Sequence, residues 1–209
     1  MLTLLLRQSG AALRMLLVST VVLGLVYPLA VWGVARLPGL HGSAEGSVVT
    51  APDGTPVGSS LIGVDPVPAD PTADPWFHTR PSASADDVLG PGDPSTSGGS
   101  NQGGFSDELL DQVRQRRAAI SAREEVAPEA VPADAVTASA SGVDPHISPA
   151  YADLQVARVA RVTGLPQERV RELVAEATDG RVLGFLGEPV VDVTRVNLAI
   201  AAARGLAGG

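Results

Sequence analysis

MLLVSTVVLGLVYPLAVWGVA, residues 15–35, runs for 21 residues without a charge and lies between Arg14 and Arg36. At about 1.5 Å of rise per residue, a helix over this run reaches roughly 30 Å, the thickness of bilayer hydrocarbon. No second run of this kind follows. The chain therefore reads as one membrane-crossing helix and whatever the remaining residues build. Tyr27 and Trp32 lie toward the far end of the run, where amphipathic rings settle at headgroup level. Pro28 interrupts the hydrogen-bond ladder, and a helix packed among partners can re-satisfy the carbonyl it frees. Gly33 and Ala35 also form a small-x-small pair after an apolar core, as in a cleaved secretory leader, although a leader's core is usually shorter. Both readings export the same downstream residues.

Moving outward from the span, Arg7 and Arg14 precede it, whereas after Arg36 no Lys or Arg appears until Arg80, with only His41 and His78 between them. Lys and Arg resist translocation, so residues 1–14 are expected in the cytoplasm, 15–35 in the membrane and 36–209 as one extracytoplasmic domain. All 23 acidic residues follow Arg36, against 12 arginines there, which gives the exported part a formal charge of −11. That sign disfavours nucleic acid and anionic lipid as partners and permits weak attraction of cations. The chain has no cysteine, so an exported domain must hold together by packing or by partners rather than by disulfides. It has no lysine either, which removes Schiff-base and P-loop lysine chemistry.

The exported part reads as α+β. Val57 to Ile62 predicts a strand closed by Gly63, and Asp65 to Pro75, with four prolines and three aspartates, a stiff connector. Trp76 and Phe77 are anchors for a core or an interface. Ser82 to Gly104 is a long Ser/Gly/Asp/Pro loop. Ser106 caps a helix to Glu125 with Leu109, Leu110 and Val113 on one side and Arg114, Arg116, Arg117 and Arg123 facing elsewhere. Val131 to Ala138 predicts a strand. Ser148 and Pro149 open a helix that should stop at Gly164, and Val170, Leu173, Val174 and Ala177 line a second one ended by Gly180. Arg181 to Leu186 and Val190 to Val193 read as strands, followed by a last helix through Val196, Ile200 and Ala203 that Gly205 terminates.

Candidate chemistry is sparse. His41, His78 and His146 are the only histidines, none at the spacing of a helical metal pair, so neither a metal nor a resident cofactor is expected. Asp144, His146 and Ser148 invite a hydrolase reading with His146 and Ser148 as base and nucleophile. Residues two apart in a turn seldom converge, however, and the plainer reading makes Asp144 and Pro145 a turn and Ser148 a helix cap. Ser97 to Gly104, including Gly98, Gly99, Ser100 and Asn101, is either a backbone cradle for an anion or a tightly turned loop. Phe77, His78, Arg80, Pro81 and Ser82 suggest a polar-anchored segment whose Arg80 can take a carboxylate bidentately.

Read in order, these segments resemble the C subunit of the Kdp potassium-transporting ATPase, a bacterial P-type pump complex. The resemblance rests on Val26, Tyr27 and Pro28 in the span; on Gly58, Ser59, Leu61, Ile62 and Gly63; on Phe77, His78, Arg80, Pro81, Ser82 and Ala83; and on Ser97, Gly98, Gly99, Ser100 and Asn101. Its densest block is Val131, Pro132, Asp134, Thr137, Ser139, Ser141, Gly142, Asp144, Pro145, His146, Ile147, Ser148 and Ala152, then Gln155, Arg158 and Val159, with Gly184, Gly187, Glu188, Pro189, Val193, Asn197 and Leu198 closing the pattern. Departures are Val64, the Asp/Pro-rich insertion after it, and Gln102 to Phe105 in place of an Asn-Pro continuation. The resemblance implies a non-catalytic, single-pass subunit of an ATP-driven potassium importer in the bacterial plasma membrane. Its partners would be a channel-like potassium-translocating subunit, a P-type ATPase subunit and a small single-span subunit. The family is described as a catalytic chaperone that raises the ATPase subunit's affinity for ATP, and nucleotide binding is attributed to it; the resemblance gives this chain no cofactor of its own, allows ATP through the complex and leaves open whether ATP also meets this chain directly.

Overall fold

Proline lacks an N–H and its ring crowds the preceding turn, so an uninterrupted α-helix through Pro28 would be strained. The computed structural model, which describes residues 1–51 and 53–205, shows how the chain avoids this. Helix α1 (Leu2–Val21) widens into a π turn over Val22–Val26 and resumes as α2 (Tyr27–Ala35), with the Tyr27 N–H reaching back five residues to the Val22 carbonyl. A π turn inserted before a proline moves the obstructing carbonyl aside without ending the helix. The apolar stretch Leu6–Ala35 is 30 residues long, and none of its residues is buried. At its end the Arg36 guanidinium lies 5.1 Å from the Trp32 ring centroid and 3.2 Å from Glu45, a cation–π contact beside an exposed ion pair. A short helix, α3 (His41–Ala44), completes this first unit, Met1–Ser47.

The second unit begins at Val48; the last four residues of the expected domain, 206–209, lie outside the described residues. Strands β1 (Val48–Thr50) and β2 (Pro56–Ser59) form an antiparallel hairpin with a register slip between Val49 and Thr50. The chain from Ser60 to Gly103 is irregular apart from one 3-10 turn, Pro71–Ala73. Helix α4 (Asp107–Glu124) starts on Ser106, whose hydroxyl accepts the Leu109 N–H, and ends with Glu125 in the left-handed region. Next come a 3-10 turn at Pro128–Ala130, α5 (Ala133–Val136), β3 (His146–Ile147), α6 (Pro149–Thr163), α7 (Gln167–Glu176), β4 (Thr178–Asp179), β5 (Val190–Asp192) and α8 (Val193–Ala203). The sheet order is β3-β5-β4, antiparallel throughout. Phe77, Ile120, Ile147, Tyr151, Val159, Val191, Val196 and Ile200 form the centre of one core drawn from sheet and helices together.

Four local expectations are corrected. Val131–Ala138 is not a strand: Pro132 precedes a turn of helix, α5, which the Thr137 hydroxyl closes onto the Ala133 carbonyl at 2.7 Å. Helix α7 stops at Glu176 rather than at Gly180, because Thr178 and Asp179 pair with Val191 and Val190 at the sheet edge. Arg181–Leu186 is a tight turn holding only an isolated bridge between Val182 and Leu186. The buried face of α4 is Arg116, Ile120 and Glu124, while Leu110 is exposed; polar residues occupy an inward stripe when partners await them there.

Candidate functional site

Residues 76–79 pass through buried and half-buried positions outside any helix or strand, so each backbone N–H and C=O there needs another partner. Side chains provide it. Asn197 on α8 accepts the Phe77 N–H at 2.8 Å and donates to the Phe77 carbonyl at 2.8 Å. Gln155 on α6 does the same for His78, at 2.8 and 3.3 Å. Arg158 donates to the Trp76 carbonyl at 2.9 Å, and Asp65 accepts the Thr79 N–H at 2.8 Å. Two amides and two charged groups thus replace a strand ladder and fix where Phe77 enters the core.

The same side chains converge on His78. Its Nε2 meets Asp74 and its Nδ1 lies 3.1 Å from Asp65, so neither ring nitrogen is free. Arg158, only 4% exposed, reaches Asp74 at 3.2 Å, Glu124 at 3.0 Å and Gln155 Oε1 at 3.1 Å. Arg123 donates to Glu124 at 2.7 Å and to the Tyr151 hydroxyl at 2.9 Å. Burial pushes the Tyr151 phenol up, which keeps it an uncharged acceptor for Arg123. Burial would also raise Asp74, but the His78 contact, the Trp76 N–H and the Arg158 charge outweigh it and hold this carboxyl below its ordinary value.

A carboxyl depressed by folding stabilises the native state above its unfolded pKa, and that contribution disappears as pH falls through the lower native value. The urea midpoint of the domain should therefore stay level from pH 7 to about 5 and fall below about pH 4, near the ordinary carboxylate range. In Asp74→Asn the starting midpoint should be lower and the acid limb shallower. A limb of equal slope in both proteins would remove Asp74 as its source.

The sequence candidates fall into separate places. Tyr27 and Pro28 open α2, with Tyr27 exposed. Phe77 enters the core and His78 the polar hub. Arg80 meets Asp144 through a single contact of 3.5 Å and donates to the Thr137 carbonyl at 3.3 Å, so the bidentate pair is not formed. The Pro81 carbonyl accepts the Ser139 N–H, and Ser82 bonds Ser84. The glycine-rich loop packs against residues 139–142 without regular structure over residues 96–103: Gly98 donates to the Ser141 carbonyl at 2.7 Å, Gly99 lies over the Ala140 backbone, and Asn101 sits at φ +54° with Ser100 exposed beside it. The Asp144 carboxylate accepts the His146 N–H at 3.0 Å, and the Pro145 carbonyl accepts from Val193. Ser148 caps α6 through the Tyr151 N–H and donates to Asp134 at 2.8 Å. Its proton is thereby directed at a carboxylate and not at His146, which is not the nucleophile–base contact of a hydrolase.

Asp65, Asp74, Glu124 and Tyr151 were not among the sequence candidates. The available signal was Arg158 together with Gln155: both share the inward face of α6 with Tyr151 and Val159, and a charge on a buried stripe requires counter-charges elsewhere in the chain.

Among the described residues, the fold and hub define a protein with one span-length apolar helix and one mixed α+β domain in which the polar residues of the hub bind each other. A family model described as the K+-transporting ATPase, c chain, matches residues 9–202. The Potassium-transporting ATPase KdpC subunit of Kineococcus radiotolerans is 53% identical over 202 residues, covering 97% of each chain. That of Streptomyces coelicolor is 48% identical over 213 aligned positions, covering 93% of this chain and 92% of its own. That of Polaromonas naphthalenivorans is 50% identical over 190 residues. The chain belongs to the KdpC family, the C chain of the K+-transporting ATPase.

Proposed function

We propose that the chain is a non-catalytic accessory subunit that stabilises a potassium-importing ATPase and raises the ATP affinity of its P-type subunit. The partners of this reading are the channel-like potassium-translocating subunit, the P-type subunit and a small single-span subunit. The observation that carries it is the pairing of one apolar helix with a domain whose polar residues are mutually satisfied in the hub. Such a domain is suited to act as a shaped body rather than as a catalyst. The arginines on the amino-terminal side of the span support a cytoplasmic N-terminus and an external domain. An external domain reaches an internal ATPase through its helix, by differing contacts in the pump's two states.

The test is deletion and restoration in cells that depend on the high-affinity pump. Loss of this chain should abolish growth at micromolar potassium and reduce recovery of the other subunits as a complex. In the purified complex, its removal should raise the ATP concentration needed for half-maximal turnover. Intact assembly and uptake without the chain would overturn the proposal.

A further inference from the structure

Helix α4 turns a second arginine inward. Arg116 is 7% exposed, and its guanidinium makes one hydrogen bond, from Nη1 to the Val136 carbonyl at 3.3 Å. Arg123 and Arg158 face Glu124, and Arg158 also faces Asp74, whereas Arg116 forms no ion pair among the described residues, and its Nε has no partner there. Burial accordingly lowers its pKa with nothing opposing the shift. A guanidinium removed from water is normally matched by a carboxylate or phosphate.

Arg116 lines a cavity of about 290 Å³ together with Ser82, Ser100, Gln102 and Gln112. Gln112 already donates one N–H to Glu108 at 3.3 Å and Ser82 bonds Ser84, which leaves the Arg116 Nε, the Ser100 hydroxyl and the remaining amide N–H groups to meet the oxygens of a planar anion. Asp87 and Glu108 also line the cavity, and both are exposed. Their charges oppose a multiply charged anion more strongly than a singly charged one. We propose that this cavity binds a carboxylate, supplied either by a small monoanionic solute or by a side chain of a neighbouring subunit.

Gln112 precedes Arg116 by four residues, so Gln112→Glu would place a carboxylate on the same helical face, in the favourable orientation toward the guanidinium. The full chain in mild detergent is titrated with sodium acetate, with sodium chloride and with inorganic phosphate at matched ionic strength, and thermal unfolding is followed. Acetate should raise the midpoint. Its apparent affinity should fall about ten- to a hundredfold in Arg116→Gln and stay unchanged in Arg114→Gln, which alters an exposed arginine of the same helix. Gln112→Glu should raise the midpoint by itself and abolish the acetate response, and this variant serves where Arg116→Gln does not fold.

If acetate has no effect on the isolated chain, while Gln112→Glu stabilises it and weakens its retention in the assembled complex, the carboxylate comes from another subunit. If neither acetate nor Gln112→Glu stabilises, or if phosphate shifts the midpoint more than acetate, the proposal is overturned.

Discussion

Arg158→Ala should lower the stability of the domain by about 3–5 kcal/mol, because truncating one member of a buried ion pair leaves its partners without a counter-charge. Glu124 would keep only Arg123, Asp74 would keep only His78 and the Trp76 N–H, and the Asp74 and Trp76 carbonyls would lose donors at 2.8 and 2.9 Å. Urea unfolding of the full chain in detergent, followed through Trp76 fluorescence with Trp32 replaced, measures the change. A loss below about 1 kcal/mol, the range of an exposed ion pair, would mean that the hub is open to water. Adding Glu124→Leu to Arg158→Met should not recover the loss, because Glu124 also pairs with Arg123 and Arg158 with Asp74, so each of those charges is left short of a partner. Arg158 thus holds the hub together by preventing unpaired charge, rather than by adding net stability.

The second large effect is expected at Gly142. Its φ is +73°, and a Cβ there would fall 2.6 Å from the Gly98 carbonyl oxygen. Gly164 has nearly the same φ, +75°, but open space around it. Gly164→Ala should therefore cost only the backbone strain, about 1 kcal/mol. Gly142→Ala adds a collision with backbone that cannot rotate away, for a total of about 2–4 kcal/mol. Equal losses at the two positions in thermal unfolding would show that the glycine-rich loop yields without penalty and does not pack rigidly on the turn at 139–142.

The helices that carry their own punctuation were legible before any coordinates. Ser148, Pro149 and Gly164 bracket α6 by local chemistry alone, and Ser106 starts α4 for the same reason. The strand error at Val131–Ala138 and the late end placed on α7 have another origin. A β-branched run and a helical stripe are local signals, and non-local pairing with Val190 and Val191 overrode the second of them. The hub was only half legible. Phe77 and His78 stood out by type, but the charged groups of the hub come from the Pro/Asp connector, from α4 and from α6, and Asp74 and Arg158, which meet there, are 84 residues apart along the chain. Periodicity does not connect such positions. The insertion after Val64, a departure from the family pattern, proves to be anchored at both ends, since Asp65 and Asp74 each hold His78.

The π turn at Val22–Val26 matters for anything that packs along the apolar helix. One residue inserted into an α-helix rotates all that follows by about 100°. Side chains of α1 and α2 that an uninterrupted 3.6-residue period would align are offset around the axis. A neighbouring helix seated on a ridge of α1 therefore meets a different ridge beyond Val26, so the two halves of the span present independent contact surfaces.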